Sequence, residues 1–207
     1  MTELWSVNVK DDPLNFVKFA FPWGMKDTPL EDFKGPRKWQ EKILREMTIH
    51  IARNGTRDLP EMFRMATASG RGIGKSALVS WIVLWMLSTR LGATIIVTAN
   101  TEQQLRSRTW AELGKWMTLS INSHWFHKTA TTIKPAPWFQ EALERDLKID
   151  TGYYYAQAQL WSEENPDAFA GIHSSYGVCL IMDEASGIPS PIYSVSEGFF
   201  TEPTQNR

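Results

Sequence analysis

The sequence predicts an α/β fold with a mainly parallel central sheet flanked by helices. Three observations predict it. Apolar, often β-branched runs alternate with longer segments of helical periodicity, in the order strand, helix, strand, helix, strand. A glycine cluster separates the first such run from the most apolar helix, and the last run leads straight into two adjacent carboxylates, Asp183 and Glu184. Strands in that order become parallel neighbours, because right-handed crossovers return the chain to one sheet.

The chain of 207 residues, 43% hydrophobic and 22% charged, suits one α/β domain over residues 36–207, preceded by a lead-in over residues 1–35. Pro13, Pro22, Pro29, Gly24 and Gly35 break that lead-in, leaving room for a short helix from Pro13 to Ala20. From Arg37 to Arg53, Trp39, Ile43, Leu44, Met47 and Ile51 recur at helical spacing, and Asn54-Gly55 ends the helix. Phe63 to Ala68 is a short, mostly apolar run entering the glycine cluster and reads as a buried strand. Lys75 to Leu91 is apolar nearly all round, as in a helix packed on several sides. Ala93 to Ala99 has the profile of a strand buried on both faces. Thr101 to Ile121 is helical with Thr101 as N-cap. Residues 122–138 carry no clear pattern, Phe139 to Leu147 is a short helix, Tyr153 to Trp161 alternates like a strand, and Val178 to Met182 is a buried strand.

Several classes are disfavoured. A single cysteine, Cys179, excludes an internal disulfide framework and suits a reducing cytoplasm. No basic and then apolar leader opens the chain, and the apolar stretch from Ala77 to Leu87 is too short to span a bilayer, so no membrane role is expected. The four histidines lack metal-site spacing with partner cysteines; His124 and His127 read as loop residues. The net charge of −1 conceals a basic middle, residues 34–138, with 16 basic against 6 acidic side chains, followed by an acidic C-terminal third. Such a middle could face a polyanion such as nucleic acid, or the two parts could neutralise each other across solvated faces.

The segment Ser69-Gly70-Arg71-Gly72-Ile73-Gly74-Lys75-Ser76-Ala77 lies after an expected strand and opens a helix, the setting a phosphate-binding loop needs. Glycines at 70, 72 and 74 let backbone N–H groups converge, and the positive end of the helix adds to the anion site. Lys75 is expected to reach the β- and γ-phosphates of ATP, and Ser76 to hold Mg²⁺ through its hydroxyl. Ser69 stands where glycine is usual. Asp183 is the second expected Mg²⁺ ligand and Glu184 the base for the attacking water. A strand at Ala93 to Ala99, lying between the phosphate-loop strand and the Asp183 strand, would mark the additional-strand (RecA-like) P-loop NTPases, which include helicases and translocases.

With those residues in place, the chain resembles the N-terminal ATPase domain of the large terminase subunit of tailed bacteriophages, the motor that packages DNA into a procapsid. Pro36-Arg37-Lys38-Trp39-Gln40 resembles the adenine motif of that family, Ser69 to Ser76 its phosphate loop with an Arg inside it, and Thr98 to Gln104 the segment after the next strand. Phe169 to His173 and Leu180 to Ala185 resemble its approach to the acidic pair. The resemblance implies that Gln40 contacts the base and that Arg71 stabilises the transferring phosphoryl in cis. It implies ATP and Mg²⁺ as cofactors, and double-stranded DNA, a portal-bearing procapsid and a small terminase subunit as partners. It also implies ring assembly and a place in the host cell cytoplasm. The family's coupling motif and nuclease domain would lie beyond Arg207, so weak or uncoupled hydrolysis is expected of this chain by itself. A helicase-like nucleic-acid-stimulated ATPase and a non-hydrolysing nucleotide-binding fragment are the alternatives. Trp81, Trp85, Trp110 and Trp116 read as core packing, while Arg106 and Arg108, beside Gln103 and Gln104, could face DNA, the nucleotide site or solvent.

Overall fold

The most apolar segment of the chain forms the central helix. In a computed structural model, which describes residues 3–55, 61–68, 70, 72–166, 169, 174 and 176–200, helix α4 (Lys75–Thr89) buries Leu78, Trp81, Val83, Leu84, Trp85 and Leu87. Having no polar face, it has to be covered on all sides. The sheet covers one side. The others are covered by α2 (Pro13–Ala20), which follows a single turn α1 (Val7–Lys10), and by α6 (Ala111–Leu119).

Among the described residues the sheet has five strands in the order β2-β3-β4-β1-β5. Strands β1 (Thr94–Ala99), β4 (Tyr155–Ala158) and β5 (Val178–Asp183) are parallel, with Thr94 opposite both Tyr155 and Val178 and Ala99 opposite Asp183. The short β2 (Phe126–Lys128) and β3 (Thr132–Pro135) form an antiparallel hairpin that extends the sheet beyond β4. Every residue of β1 is buried, as its two-sided apolar run requires. Its alternate side chains serve two cores: Ile95, Val97 and Ala99 join the main core with α4, and Ile96 joins a smaller one with Phe169, Ile188 and Ile192. Helices α3 (Lys38–Asn54) and α7 (Pro137–Leu147) and, after β5, α8 (Ser190–Ser196) complete the layers.

The lead-in belongs to the main core. Asp12 caps α2, accepting from the N–H groups of Leu14 and Asn15, and Phe16 and Val17 are fully buried. Trp5 Nε1 donates to the Ser88 carbonyl at 2.9 Å, and Arg90 donates to the Lys10 carbonyl at 3.0 Å and to Asp11 at 2.8 Å. Burial pulls the Arg90 guanidinium below its ordinary pKa, partly offset by the Asp11 carboxylate. Trp81 packs edge-on against Trp116 and Trp23, with ring centroids 5.0 and 5.7 Å away. All four tryptophans read as core, residues 81, 85, 110 and 116, are buried. Cys179 packs against the main core, and burial pushes its thiol up to about 12. Among the described residues no helix is long and apolar enough to cross a membrane.

Four expectations are corrected. Phe63 to Ala68 is not a strand: it is irregular chain with residues 64–68 exposed. Its small Ala66, Thr67 and Ala68 offer little apolar area, and it pairs with none of the five strands. Phe63 instead packs on His50, ring centroids 5.0 Å apart, and Arg64 reaches Glu197 at 2.5 Å. Consequently β1 does not lie between a loop strand and the Asp183 strand; its neighbours are β4 and β5. The helix after Thr101 is not uniform, since α5 (Glu102–Gln104) passes through a π-helical turn (Leu105–Trp110) into α6. Finally, His127 lies in β2 and His124 in a tight turn, stacked on Trp138 at 5.9 Å.

Removing the carboxylate that faces Arg90 leaves a largely buried cation short of a partner. Asp11→Ala is therefore expected to lower stability by about 1–3 kcal/mol in urea unfolding. Lys18→Ala, which removes a more exposed pair with Glu41 at 3.1 Å, is expected to cost about 1 kcal/mol or less.

Candidate functional site

Helix α4 opens at a turn built on glycine. Gly72 and Gly74 are left-handed, with φ of 73° and 93°, a region that side chains with Cβ rarely enter. Gly74 is the N-cap of α4, and no side chain caps the first turn, so that end presents main-chain amides and the positive end of the helix dipole. Gly70 and Gly72 are exposed, whereas Ile73, Gly74, Lys75, Ser76 and Ala77 are half-buried. Lys75 Nζ donates to the Gly70 carbonyl at 3.4 Å, folding its side chain back over the turn. Ser69 and Arg71 lie outside the described residues.

The first turn of α3 braces this turn. Gln40 is 2% exposed. Its Oε1 accepts from the Arg37 N–H at 2.8 Å, and its Nε2 donates to the Gly74 carbonyl at 2.8 Å. Arg37 Nη1 donates to the Ile73 carbonyl at 3.0 Å. The Gln40 amide, expected from the sequence to face a base, is thus engaged at both ends with the chain itself. A cavity of about 400 Å³ lies beside the turn, lined among others by Trp39, Lys42, Ile43, Glu46, Met65 and Ile73. The buried Trp39 Nε1 has no hydrogen-bond partner.

Four residues, 90–93, connect α4 to β1, so α4 runs antiparallel to β1 and its N-terminus lies towards the C-terminal edge of the sheet. Asp183 ends β5 at that edge, in register with Ala99. Its Oδ2 accepts from Thr109 Oγ1 at 2.5 Å and its Oδ1 from the Glu184 N–H at 3.0 Å. Glu184 is left-handed, φ 51° and ψ 42°. Gln104 Nε2 donates to its carboxylate at 3.3 Å and Asn100 Nδ2 to its carbonyl at 3.1 Å. Arg108 approaches the carboxylate at 3.7 Å with its side chain 64% exposed, a contact of little energetic weight. Arg106 turns instead to Glu102 at 2.7 Å.

Thr109 carries no sequence signal of this role; Asn100 and Gln104 lie in the segment Thr98 to Gln104 that the sequence singles out, without a role for either, and Arg108 lies close beyond it. The π-helical turn is the structural cue, since such turns gather at functional sites. Thr98 Oγ1, Asn100 Oδ1 and Gln104 Oε1 are buried without hydrogen-bond partners, a concentration of polar need at one edge of the sheet. Among the described residues no three His, Cys, Asp or Glu side chains gather as a metal cage. A magnesium ion does not require one, because it keeps waters and takes one or two protein oxygens beside phosphate. The Ser76 hydroxyl and the remaining lone pairs of Asp183 fit that requirement in kind.

No protein-family model matches the chain, and no solved structure matches it significantly. The chain is similar to the "Probable terminase, large subunit" of Enterobacteria phage P7, with 27% identity over 144 residues. The match covers 66% of this chain and 26% of that protein, so this chain spans about a quarter of its relative's length.

An alanine Cβ at position 74 would lie 2.9 Å from Gln40 Nε2, on a left-handed backbone. Gly74→Ala is expected to cost about 1–2 kcal/mol in chemical unfolding. Gly70, where a Cβ meets nothing within 4 Å, is expected to tolerate the same change nearly without loss.

Proposed function

We propose that this chain is an ATP-binding and ATP-hydrolysing domain of a P-loop type, serving a terminase large subunit that drives double-stranded DNA into a procapsid. One observation carries the reading: a glycine turn with left-handed Gly72 and Gly74 opens a long buried helix towards the sheet edge where β5 ends at Asp183 and Glu184 follows. The similarity to the phage P7 protein supports the packaging part.

In this reading the amides of residues 72–77 and Lys75 bind the β- and γ-phosphates, whose charge they offset. Ser69 and Gly70 contribute the entry to the turn. Ser76 and Asp183 hold Mg²⁺, which when bound spreads the charge of the phosphate oxygens. Glu184 accepts a proton from water as the water oxygen bonds to the γ-phosphorus. The bond to the bridging oxygen breaks, and ADP leaves. Arg71 stabilises the charge on the phosphoryl group in flight. The cavity bounded by Trp39 and Ile43 receives the base, with Gln40 bracing the loop through the Gly74 carbonyl and not touching the base itself. The basic middle of the chain faces DNA. A portal-bearing procapsid, a small terminase subunit, ring assembly and the host cytoplasm belong to the same proposal.

Glu184→Gln is expected to bind ATP as the unmodified protein does while phosphate release falls about 100-fold or more. Lys75→Ala is expected to weaken ATP binding roughly 10- to 100-fold in calorimetry. Undiminished turnover in the Glu184 variant would remove the base from the mechanism. Undiminished binding in the Lys75 variant would remove the phosphate loop.

A further inference from the structure

Glu184 is held in place by groups outside the two motifs. A left-handed backbone is unfavourable for a residue with a side chain, so the φ of 51° at Glu184 needs support. Its own N–H donates to Asp183 Oδ1 at 3.0 Å, and Asn100 Nδ2 donates to its carbonyl at 3.1 Å. Gln104 Nε2 then fixes the side chain, donating to Oε2 at 3.3 Å. Backbone and carboxylate of one residue are thus gripped by two amides, one at the end of β1 and one in the helix that follows.

The direction of each amide is forced. Reversing Gln104 would set its oxygen against a carboxylate oxygen, and reversing Asn100 would set oxygen against a carbonyl. With the N–H groups spent on Glu184, Asn100 Oδ1 and Gln104 Oε1 remain as buried acceptors without partners. A buried acceptor left without a partner is unfavourable, which mere packing does not call for. The seat of Asn100 is also shaped by Gly187, where a Cβ would lie 2.1 Å from Asn100 Nδ2.

We propose that Asn100 and Gln104 are positioning residues for Glu184. Asn100 fixes the left-handed turn, and Gln104 holds Oε2, so that Oε1, which the exposed Arg108 approaches only at 3.7 Å, is the oxygen left for the attacking water. This rests on the reading of Glu184 as the base.

The test is steady-state phosphate release and calorimetric ATP binding, with Mg²⁺, on the 207-residue protein. Gln104→Leu and Asn100→Ala are expected to lower kcat roughly 10- to 100-fold, the cost of a displaced catalytic group, with ATP affinity held within about twofold. Gln104→Glu, nearly the same shape, sets a second carboxylate against the first and is expected to fall at least as far. Arg106→Ala is expected to turn over as the unmodified protein does. An unchanged or raised kcat in Gln104→Glu with ATP bound normally overturns the inference. So does a parallel loss of affinity and kcat in all three variants, which marks a structural role. If the unmodified protein binds ATP but releases no phosphate, or Glu184→Gln turns over equally well, the reading beneath it fails and the inference falls with it.

Discussion

A helix with no polar face can exist in water only when other elements surround it, and α4 is such a helix. Leu84 and Leu87 are buried against its neighbours, and Trp81 and Trp85 fill the space towards the lead-in and α6. The C-terminus of α4 is tied down by Trp5, Arg90 and the short link to β1. Its N-terminus is then fixed in space at the opposite edge of the sheet. Whatever the glycine turn does, it does there, because the burial of α4 leaves that end nowhere else to go.

The same constraint brings the acidic pair into play. Parallel pairing of β1 with β5 carries Asp183 level with Ala99, and the helix leaving β1 returns over that edge to place Gln104 and Thr109 on Glu184 and Asp183. The π-helical turn matters because it shifts the helical phase between Gln104 and Ala111, letting Thr109 face the sheet while Leu113 and Trp116 stay in the core. Polar atoms that would be costly in an ordinary core gather here. Packing supplies the frame, and the departures from good packing mark the site.

Much of the frame was legible in the sequence. Pro13 to Ala20, the β-branched run of β1 and the run into Asp183 announce themselves through local pattern, and the structure follows them nearly residue for residue. Phe63 to Ala68 misleads because a short apolar run says nothing about whether a sheet has a place for it. The hairpin of β2 and β3 was hidden because its strands are three and four residues long, too short to show alternation. The pairing of Asn100 and Gln104 with Glu184 is hidden for another reason. The segment that holds them stands out in the sequence, but only the β1–β5 register sets their amides on the carbonyl and carboxylate of a residue some eighty positions away. Gln40 shows the converse: a motif singled it out, and the fold gave its amide to the Gly74 carbonyl.

The central claim is that the glycine turn and the acidic pair serve one ligand. Hydrogen–deuterium exchange of the backbone amides, with and without ATP and Mg²⁺, tests it directly. The account predicts that the nucleotide slows exchange in residues 72–77 and, in the same titration, in residues 183–187. Slowing in the turn alone, or in neither segment at saturating ATP, would contradict it.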